Sequence, residues 1–309
     1  MSEVVLSARH ITKEYPGTRA LDDVNFDIEK GKVNVLIGEN GAGKSTLMRI
    51  VAGIEQPTSG ELYMGEEKVS FKNTAEARKN GIAIIHQELS LFKNLNVAQN
   101  IFINNEKLKG KVVVDNKQQR MLAKKVLEGM NYSVDPDAMV SELRVGQQQM
   151  IEIAKNLAQD NVRILIMDEP TSSLSSEEEQ QLFKIMKDLL AEGIAIVYIS
   201  HRLEEIMQIG DNVTVFRNGK LVAHAEVADI DIPQIVTWMT GKAKDYSKKI
   251  SKINYHTAEN ILEVRDLCLP KRGGGYLLDH VSFDLKKGEV LGIYGLMGSG
   301  RTEIFECIM

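Results

Sequence analysis

The chain has 309 residues, which at roughly 150 residues per domain indicates about two domains. Its residues are 43% hydrophobic and 26% charged, a balance that excludes a disordered, collagen-like or coiled-coil chain. The formal net charge of −5 disfavours a dedicated nucleic-acid binder. Two cysteines, Cys268 and Cys307, are too few for a disulfide framework, and no apolar run is long enough for a membrane span. We therefore expect a soluble protein in a reducing, cytoplasmic setting.

Four short runs rich in isoleucine and valine predict strands that are buried on both faces of a parallel sheet. They lie at 33–37, 82–85, 164–167 and 194–199. Between the second and third runs, residues 98–158 have mostly helical patterning and few helix breakers, which predicts an inserted helical subdomain. The alternation of such strands with helical segments predicts an α/β domain.

The first of these runs leads into a glycine-rich loop of the form G-x-x-x-x-G-K-[ST], followed by an apparent helix at 46–52. In this context the backbone N–H groups of the loop can surround phosphate oxygens. Lys44 would reach the β- and γ-phosphates of a nucleotide, and the Ser45 hydroxyl would hold Mg²⁺. The loop, called the phosphate loop below, consists of Gly38, Glu39, Asn40, Gly41, Ala42, Gly43, Lys44, Ser45 and Thr46.

Polar side chains follow the other three predicted strands. Asp168 and Glu169 end the third strand, where Asp168 would bind Mg²⁺ and Glu169 would polarise the water that attacks the γ-phosphate. Gln87 follows the second strand and would reach the metal or the attacking water, and His201 follows the fourth and would contact the γ-phosphate. Ligands of open α/β sheets lie beyond the carboxyl ends of the strands, so we expect these groups in one crevice.

The sequence repeats itself, because residues 20–46 resemble residues 277–303 at a constant offset. In the second copy Arg301 takes the place of Lys44, which keeps the charge without the compact ammonium. The intervening segment carries five lysines between 242 and 252 and is typical of a solvated linker. The predicted organisation is one domain at 1–241, a linker at 242–258, and the start of a second, truncated domain at 259–309. Strand-like patterns in the last part lie at 261–267, 281–285 and 290–294.

The order of these motifs resembles that of an ABC-type ATPase. The family's signature motif corresponds to Leu143, Arg144, Val145, Gly146 and Gln147, just before a predicted helix at 148–157. The resemblance implies a P-loop NTPase fold with a parallel-rich sheet core, an N-terminal antiparallel β subdomain, an inserted helical subdomain and a partial second copy. It also implies ATP and Mg²⁺ as ligands and Tyr15 as the aromatic residue that stacks on adenine.

Residues 145–149 and 239–242, together with the tandem glycine-rich loops, are similar to the ATPase subunits of bacterial sugar importers of the ribose, galactose and xylose type. The resemblance implies an ATP-hydrolysing, energy-coupling subunit at the cytoplasmic face of the inner membrane. Its partners would be integral-membrane permease subunits, a solute-binding protein reached through them, and a second ABC domain in cis or in a dimer. No nucleic-acid partner is expected.

Two alternatives stay open. A soluble, non-transport ABC ATPase would favour a basic face and a long helical arm, whereas this chain is acidic and its connector is short. A non-hydrolysing nucleotide-binding regulatory module is disfavoured by Glu169 and favoured by Arg144, which replaces the usual signature serine.

Ser175 stands where many relatives have an aspartate, and its spacing to Glu178 predicts a helix-capping box. With one signature segment, the chain alone is expected to bind ATP and to turn it over poorly.

Overall fold

The computed structural model describes residues 3–110, 112–158, 161–241, 258–271, 274–295 and 298–309. The chain forms two compact units, Met1–Lys244 and Asp245–Met309. Strands in the described residues are β1 (Val4–Tyr15), β2 (Thr18–Glu29), β3 (Val33–Gly38), β4 (Ser59–Met64), β5 (Glu67–Val69), β6 (Ile82–Ile85), β7 (Leu108–Lys109), β8 (Val113–Val114), β9 (Ile164–Asp168), β10 (Ala195–Ile199), β11 (Asn212–Arg217), β12 (Lys220–Glu226), β13 (Asn260–Pro270) and β14 (Tyr276–Lys286). Helices are α1 (Lys44–Val51), α2 (Thr74–Lys79), α3 (Val97–Ile101), α4 (Asn116–Gly129), α5 (Val145–Leu157), α6 (Ser176–Ala191), α7 (Leu203–Ile209), α8 (Ile232–Thr240) and α9 (Arg301–Ile308).

The first unit is built on a sheet whose described strands run in the order β12-β11-β3-β10-β9-β6. Every neighbouring pair is parallel except β11 with β12. The four strands predicted from apolar runs are β3, β10, β9 and β6, which lie side by side in this sheet. The prediction of a parallel-rich α/β core is confirmed, and the carboxyl ends of these strands meet at one edge.

Both faces of this sheet are covered, which is why its central strands are mostly apolar. In β3, Val35 and Ile37 join a core that also contains apolar residues of α5 and α6. Leu36 points to the opposite face and joins a second core with α1 and the N-terminal strands. Burial on both faces holds the ends of these strands in place, and the candidate site lies at those ends.

The N-terminal strands form a separate antiparallel sheet in the order β2-β1-β4-β5 among the described residues. The long strands β1 and β2 place alternate apolar residues, including Leu6 and Phe26, into the core shared with α1. Positive φ angles at His10 (53°) and Asp23 (53°) accompany shifts of register between the two strands. The predicted N-terminal antiparallel subdomain is therefore present.

The predicted helical insertion contains α3, α4 and α5, with a short β7-β8 hairpin that the sequence patterns did not predict. Ala123 and Leu127 of α4 and Met150 and Ile153 of α5 are buried in the same core as one face of the parallel sheet. Helix α5 begins at Val145, three residues earlier than the pattern predicted. In the described part of the chain no helix is both long and apolar enough to cross a membrane.

The second unit contains the antiparallel pair β13-β14 and helix α9. It repeats features of β1, β2 and α1, including a bulged strand pair with positive φ angles at Asp266 and His280. The prediction of a strand at 290–294 is wrong, because this segment is in no strand and Val290 and Tyr294 are 95% and 94% exposed. The equivalent β3 is hydrogen-bonded between β10 and β11, and the described residues of the second unit provide no such neighbours. The predicted linker, apart from its last residue, lies outside the described residues.

Candidate functional site

The phosphate loop connects the end of β3 to the start of α1, and two of its glycines are required by close backbone approaches. At Gly38, with φ of 155°, a Cβ atom would overlap the carbonyl oxygen of Phe216. At Gly43, with φ of 102°, a Cβ atom would lie 2.6 Å from the carbonyl oxygen of Ala20. Both positions need the conformational freedom of glycine and the absence of a side chain, so the loop lies tightly against β11 and β2.

The loop lines a cavity of about 470 Å³ at the carboxyl edge of the parallel sheet. The Nζ atom of Lys44 donates hydrogen bonds to the carbonyl oxygens of Gly38 (2.7 Å) and Glu39 (3.1 Å). The structure thus brings Gln87, Asp168 and Glu169 into the same cavity as most of the loop. The cavity is lined by Ala20, Asn40, Gly41, Ala42, Gly43, Lys44, Ser45, Thr46, Gln87, Asp168, Glu169 and Ile199.

Two neighbouring carboxylates, those of Asp168 and Glu169, line this cavity. Burial, and after it the neighbouring Glu169 carboxylate, raise the pKa of Asp168, while Lys44 acts in the opposite direction. Burial lowers the pKa of Lys44, against the attraction of the two carboxylates. The hydroxyl of Ser45 lies 3.5 Å from Oδ2 of Asp168, so two hard oxygen groups stand together. This donor set fits Mg²⁺, which takes one or two protein oxygens together with waters and phosphate oxygens.

Three contacts fix the position of Glu169, one to its backbone N–H and two to its carboxylate. Its φ of 48° is unusual for a residue with a side chain, and its N–H donates to the carbonyl oxygen of Ile199 at 2.9 Å. Nε2 of Gln87 donates to Oε2 of Glu169 at 3.0 Å, and Nδ1 of His201 lies 3.0 Å from Oε1. The side chain of Glu169 is 22% exposed and that of His201 is 67% exposed. The carboxylate is therefore fixed in direction while one side stays open to water.

The signature segment (residues 143–147) lies at the start of α5 and contributes no residue to the lining of this cavity. The backbone N–H of Arg144 donates to Oε1 of Gln147 at 3.0 Å, which caps the helix. Arg144 and Val145 are exposed, Leu143 and Gln147 are partly buried, and Gly146 is buried. Within this chain, then, the signature segment presents an exposed helix start away from the phosphate loop.

Gly146 packs against the carboxylate of Glu178, which a Cβ atom at this position would overlap. Glu178 also completes the predicted capping box of α6, because its carboxylate accepts from the backbone N–H of Ser175 at 2.9 Å. In return the Ser175 hydroxyl accepts from the N–H of Glu178 at 3.4 Å. The capping prediction is confirmed, and the same Glu178 side chain contacts the signature segment at Gly146.

Tyr15 lies beside the last residue of the phosphate loop and not in the lining of the cavity. Its hydroxyl donates to Glu55, its side chain is 38% exposed, and Nζ of Lys13 is 5.1 Å from the ring centroid. Burial raises the pKa of Tyr15, Glu55 adds to this shift, and the Thr46 hydroxyl opposes it. The ring is thus presented at the surface next to Thr46, where a flat apolar group can pack on it.

The sequence patterns missed a buried carboxylate beneath the site. Glu205 in α7 is 2% exposed and accepts hydrogen bonds from the hydroxyls of Thr171, Tyr198 and Ser200. Tyr198 and Ser200 are within seven residues of Glu205, but Thr171 is 34 residues away, so the spacing in the sequence does not show the whole group. A glutamate in the first turn of a short helix is an ordinary surface pattern, which gave no signal either.

Comparison with known proteins agrees with this geometry. The family model for ABC transporters matches residues 21–172, which include the phosphate loop, Gln87, the signature segment and Glu169. Residues 21–172 are an ABC transporter domain. A solved ATP-binding cassette of an ABC transporter, in its ADP conformation, superposes with a TM-score of 0.68 at 28% identity. That superposition covers 77% of this chain and 99% of the cassette.

Curated relatives align over 99% of this chain. The ribose import ATP-binding protein of Rhodopirellula baltica is 46% identical over 309 residues. The galactose/methyl galactoside import ATP-binding protein of Clostridium perfringens (strain ATCC 13124) is 42% identical over 307 residues. The aligned regions are 60% and 58% of those two proteins, so the chain spans about 60% of the length of the relatives it matches.

Proposed function

We propose that this chain binds ATP with Mg²⁺ in the phosphate-loop cavity and hydrolyses it to drive import of a sugar or a sugar-like solute. The observation that supports hydrolysis best is the carboxylate of Glu169, held by Gln87 and His201 at 3.0 Å each. An oriented carboxylate at the mouth of a phosphate site is suited to accept a proton from the attacking water. The curated relatives named above are import proteins for ribose and galactosides, which supports the solute class.

In this proposal the residues in and around the cavity have different roles. The backbone of the phosphate loop and the ammonium of Lys44 bind the phosphates, and Ser45 and Asp168 hold Mg²⁺ with help from Gln87. When bound, Mg²⁺ neutralises charge on the phosphate oxygens. Glu169 orients and deprotonates the water, while His201 contacts the γ-phosphate. Tyr15 supplies a flat face for adenine beside Thr46.

The site is completed by a second ABC domain. The exposed signature segment is absent from the lining of its own cavity, so it is available to the nucleotide of another copy. We assign residues 1–241 to one ABC domain, 242–258 to a linker and 259–309 to the start of a second domain. The repeated strand pair and glycine-rich loop of residues 259–309 support this assignment.

A groove next to Gln87 supports a permease partner. The segment that follows Gln87 passes through Ser90 and Phe92, which line a cavity of about 800 Å³ together with Ile101 and Lys155. Phe92 is 51% exposed, and its backbone N–H and carbonyl oxygen are both bound to the side chain of Asn100. Docking of an apolar and acidic permease segment here would act on Gln87 through a chain segment of five residues.

We place the protein at the cytoplasmic face of the inner membrane as a peripheral subunit, with a solute-binding protein reached through the permease.

Phosphate release from Mg-ATP by the full chain, alone and with permease subunits in vesicles, tests the proposal. We expect slow release by the chain alone and a rate that rises when the permease is added. Nucleotide binding without release in both settings would instead identify a regulatory module. Release that does not respond to the permease would identify a soluble, non-transport ATPase.

A further inference from the structure

The buried carboxylate of Glu205 accepts hydrogen bonds from three hydroxyl groups. The hydroxyl of Thr171 lies 2.9 Å from both of its oxygens, that of Tyr198 at 2.8 Å and that of Ser200 at 3.1 Å. Arg202 adds an ion pair to the same carboxylate. A buried charge is tolerated only when it is paired and hydrogen-bonded, so these groups must keep their positions together.

The donors belong to the two segments that carry Glu169 and His201. Thr171 is two residues after Glu169, and Ser200 and Arg202 are the neighbours of His201 on either side. The backbone N–H of Arg202 also donates to the Ser200 hydroxyl at 3.0 Å. The Glu205 carboxylate therefore connects the two loops that carry Glu169 and His201, whose side chains meet at 3.0 Å.

Glu169 needs such support because its backbone is strained. A positive φ at a residue with a Cβ atom persists only where the surroundings determine it. On one side the N–H of Glu169 is bound to Ile199, the residue before Ser200. On the other side, Thr171 is 3% exposed and anchored to Glu205.

We propose that Glu205 is a positioning residue, which holds Glu169 and His201 at hydrogen-bond distance through Thr171 and Ser200. The proposal rests on the function proposed above, in which Glu169 acts on the attacking water. Displacement of a reacting group by about 1 Å can cost about 100-fold in rate, so release of this anchor lowers turnover. Glu205 itself does not line the nucleotide cavity, so ATP affinity is retained.

The test compares variants of Thr171 in the full chain. Thr171→Val keeps the shape and removes the hydroxyl, and we expect kcat to fall about tenfold or more with ATP affinity within about twofold. Thr171→Ser keeps the hydroxyl, and we expect its kcat to equal that of the unsubstituted chain. The matched control is Thr214→Val, which removes another buried hydroxyl, one bound to Nδ1 of His224 at 2.9 Å and outside the network. This control leaves kcat unchanged.

The imidazole NMR signals of His201, assigned with His201→Gln, give a readout that does not depend on turnover. We expect these signals to shift in Thr171→Val and to stay in place in Thr171→Ser and Thr214→Val. Unchanged His201 signals and kcat in Thr171→Val, with only a lower melting temperature, would overturn the proposal. If Glu169→Gln still releases phosphate, the proposed function fails separately, and the NMR comparison still decides the role of Glu205.

Discussion

In the proposed function, two side chains of the cavity, Lys44 and Glu169, act at different stages of the reaction. Lys44 is partly buried, with its ammonium on the carbonyl oxygens of the phosphate loop, and we propose that it binds the phosphates in the ground state. Glu169 is bound to Gln87 and His201, and we propose that it acts on the attacking water. Because one group binds phosphate and the other acts during attack, their substitutions should affect different measurements.

We expect Lys44→Ala to abolish productive ATP binding and Glu169→Gln to leave binding intact while turnover stops. Glutamine retains the size of the side chain but cannot accept the proton of the attacking water. Nucleotide titration and phosphate release on both variants measure the two effects. An equal loss of ATP binding in both variants would contradict the role assigned to Glu169.

Arg144 stands in the signature segment where a small hydroxyl is the usual group of the family it resembles. Its side chain is exposed at the start of α5, where a bulky guanidinium occupies the space that a serine would leave open. We expect Arg144→Ser to raise the ATPase rate of an assembled dimer severalfold, while Arg144→Lys gives no increase. A lower rate in Arg144→Ser would show that the arginine supplies charge to the phosphate, and an unchanged rate that the segment does not face nucleotide.

Among the elements, one contact recurs in both units: the last glycine of the glycine-rich loop packs against a leucine of an earlier strand, β2 or β14. At Gly43 a Cβ atom would lie 2.7 Å from Cδ2 of Leu21, and at Gly300 it would lie 2.6 Å from Cδ2 of Leu278. Both glycines have positive φ and precede a helix, α1 or α9. The described end of the second glycine-rich loop, at Gly300, therefore packs on its own strand pair as Gly43 does in the first unit.

This junction makes Gly43→Ala more destabilising than Gly41→Ala. Both glycines have positive φ, which costs about 1–2 kcal/mol for alanine, but a Cβ at Gly41 meets no atom within 4 Å. A Cβ at Gly43 meets Ala20 and Leu21, so the strand or the helix must shift. Urea unfolding of the two variants measures the difference in the free energy of unfolding. Equal losses would show that the close approach does not contribute to stability.

Across the whole molecule, the two units differ in how much apolar surface they bury. The first has two extensive cores, one on each face of its parallel sheet. In the described part of the second unit the buried apolar residues are Val264, Leu278 and Ile304. Roughly fifty residues with so small a core seldom remain folded without a disulfide or a metal, so the two units should differ in resistance to proteases.

We expect limited trypsin digestion to cut first between Gly241 and Glu259, within the segment that carries five lysines from 242 to 252. The product is a stable core of about the first 241 residues that still binds ATP, while residues 259–309 are degraded. Mass spectrometry of the time course and nucleotide titration of the core measure both outcomes. Equal resistance of the second unit in dilute solution would contradict this expectation.

Much of the site could be predicted from local sequence, since its groups follow buried parallel strands. The position of Gln87 after β6, of Glu169 after β9 and of His201 after β10 follows from strand direction alone. The absence of a strand at 290–294 could not be predicted, because the pattern that forms β3 in the first unit recurs there. A strand is stable through its neighbours, and those are set by other parts of the chain.

The sequence by itself determined the phosphate loop, the parallel strands and the family, because each depends on residues that are close together along the chain. Only the tertiary structure decided that Gln87 and His201 meet on Glu169, that the signature segment is absent from the lining of its own cavity, and that Glu205 lies under the two loops. The contacts of Gln87 and His201 with Glu169, and of Thr171 with Glu205, join residues that are 32 to 82 positions apart along the chain. An unpaired polar group in the core is costly, so burial makes the partners of Glu205 specific.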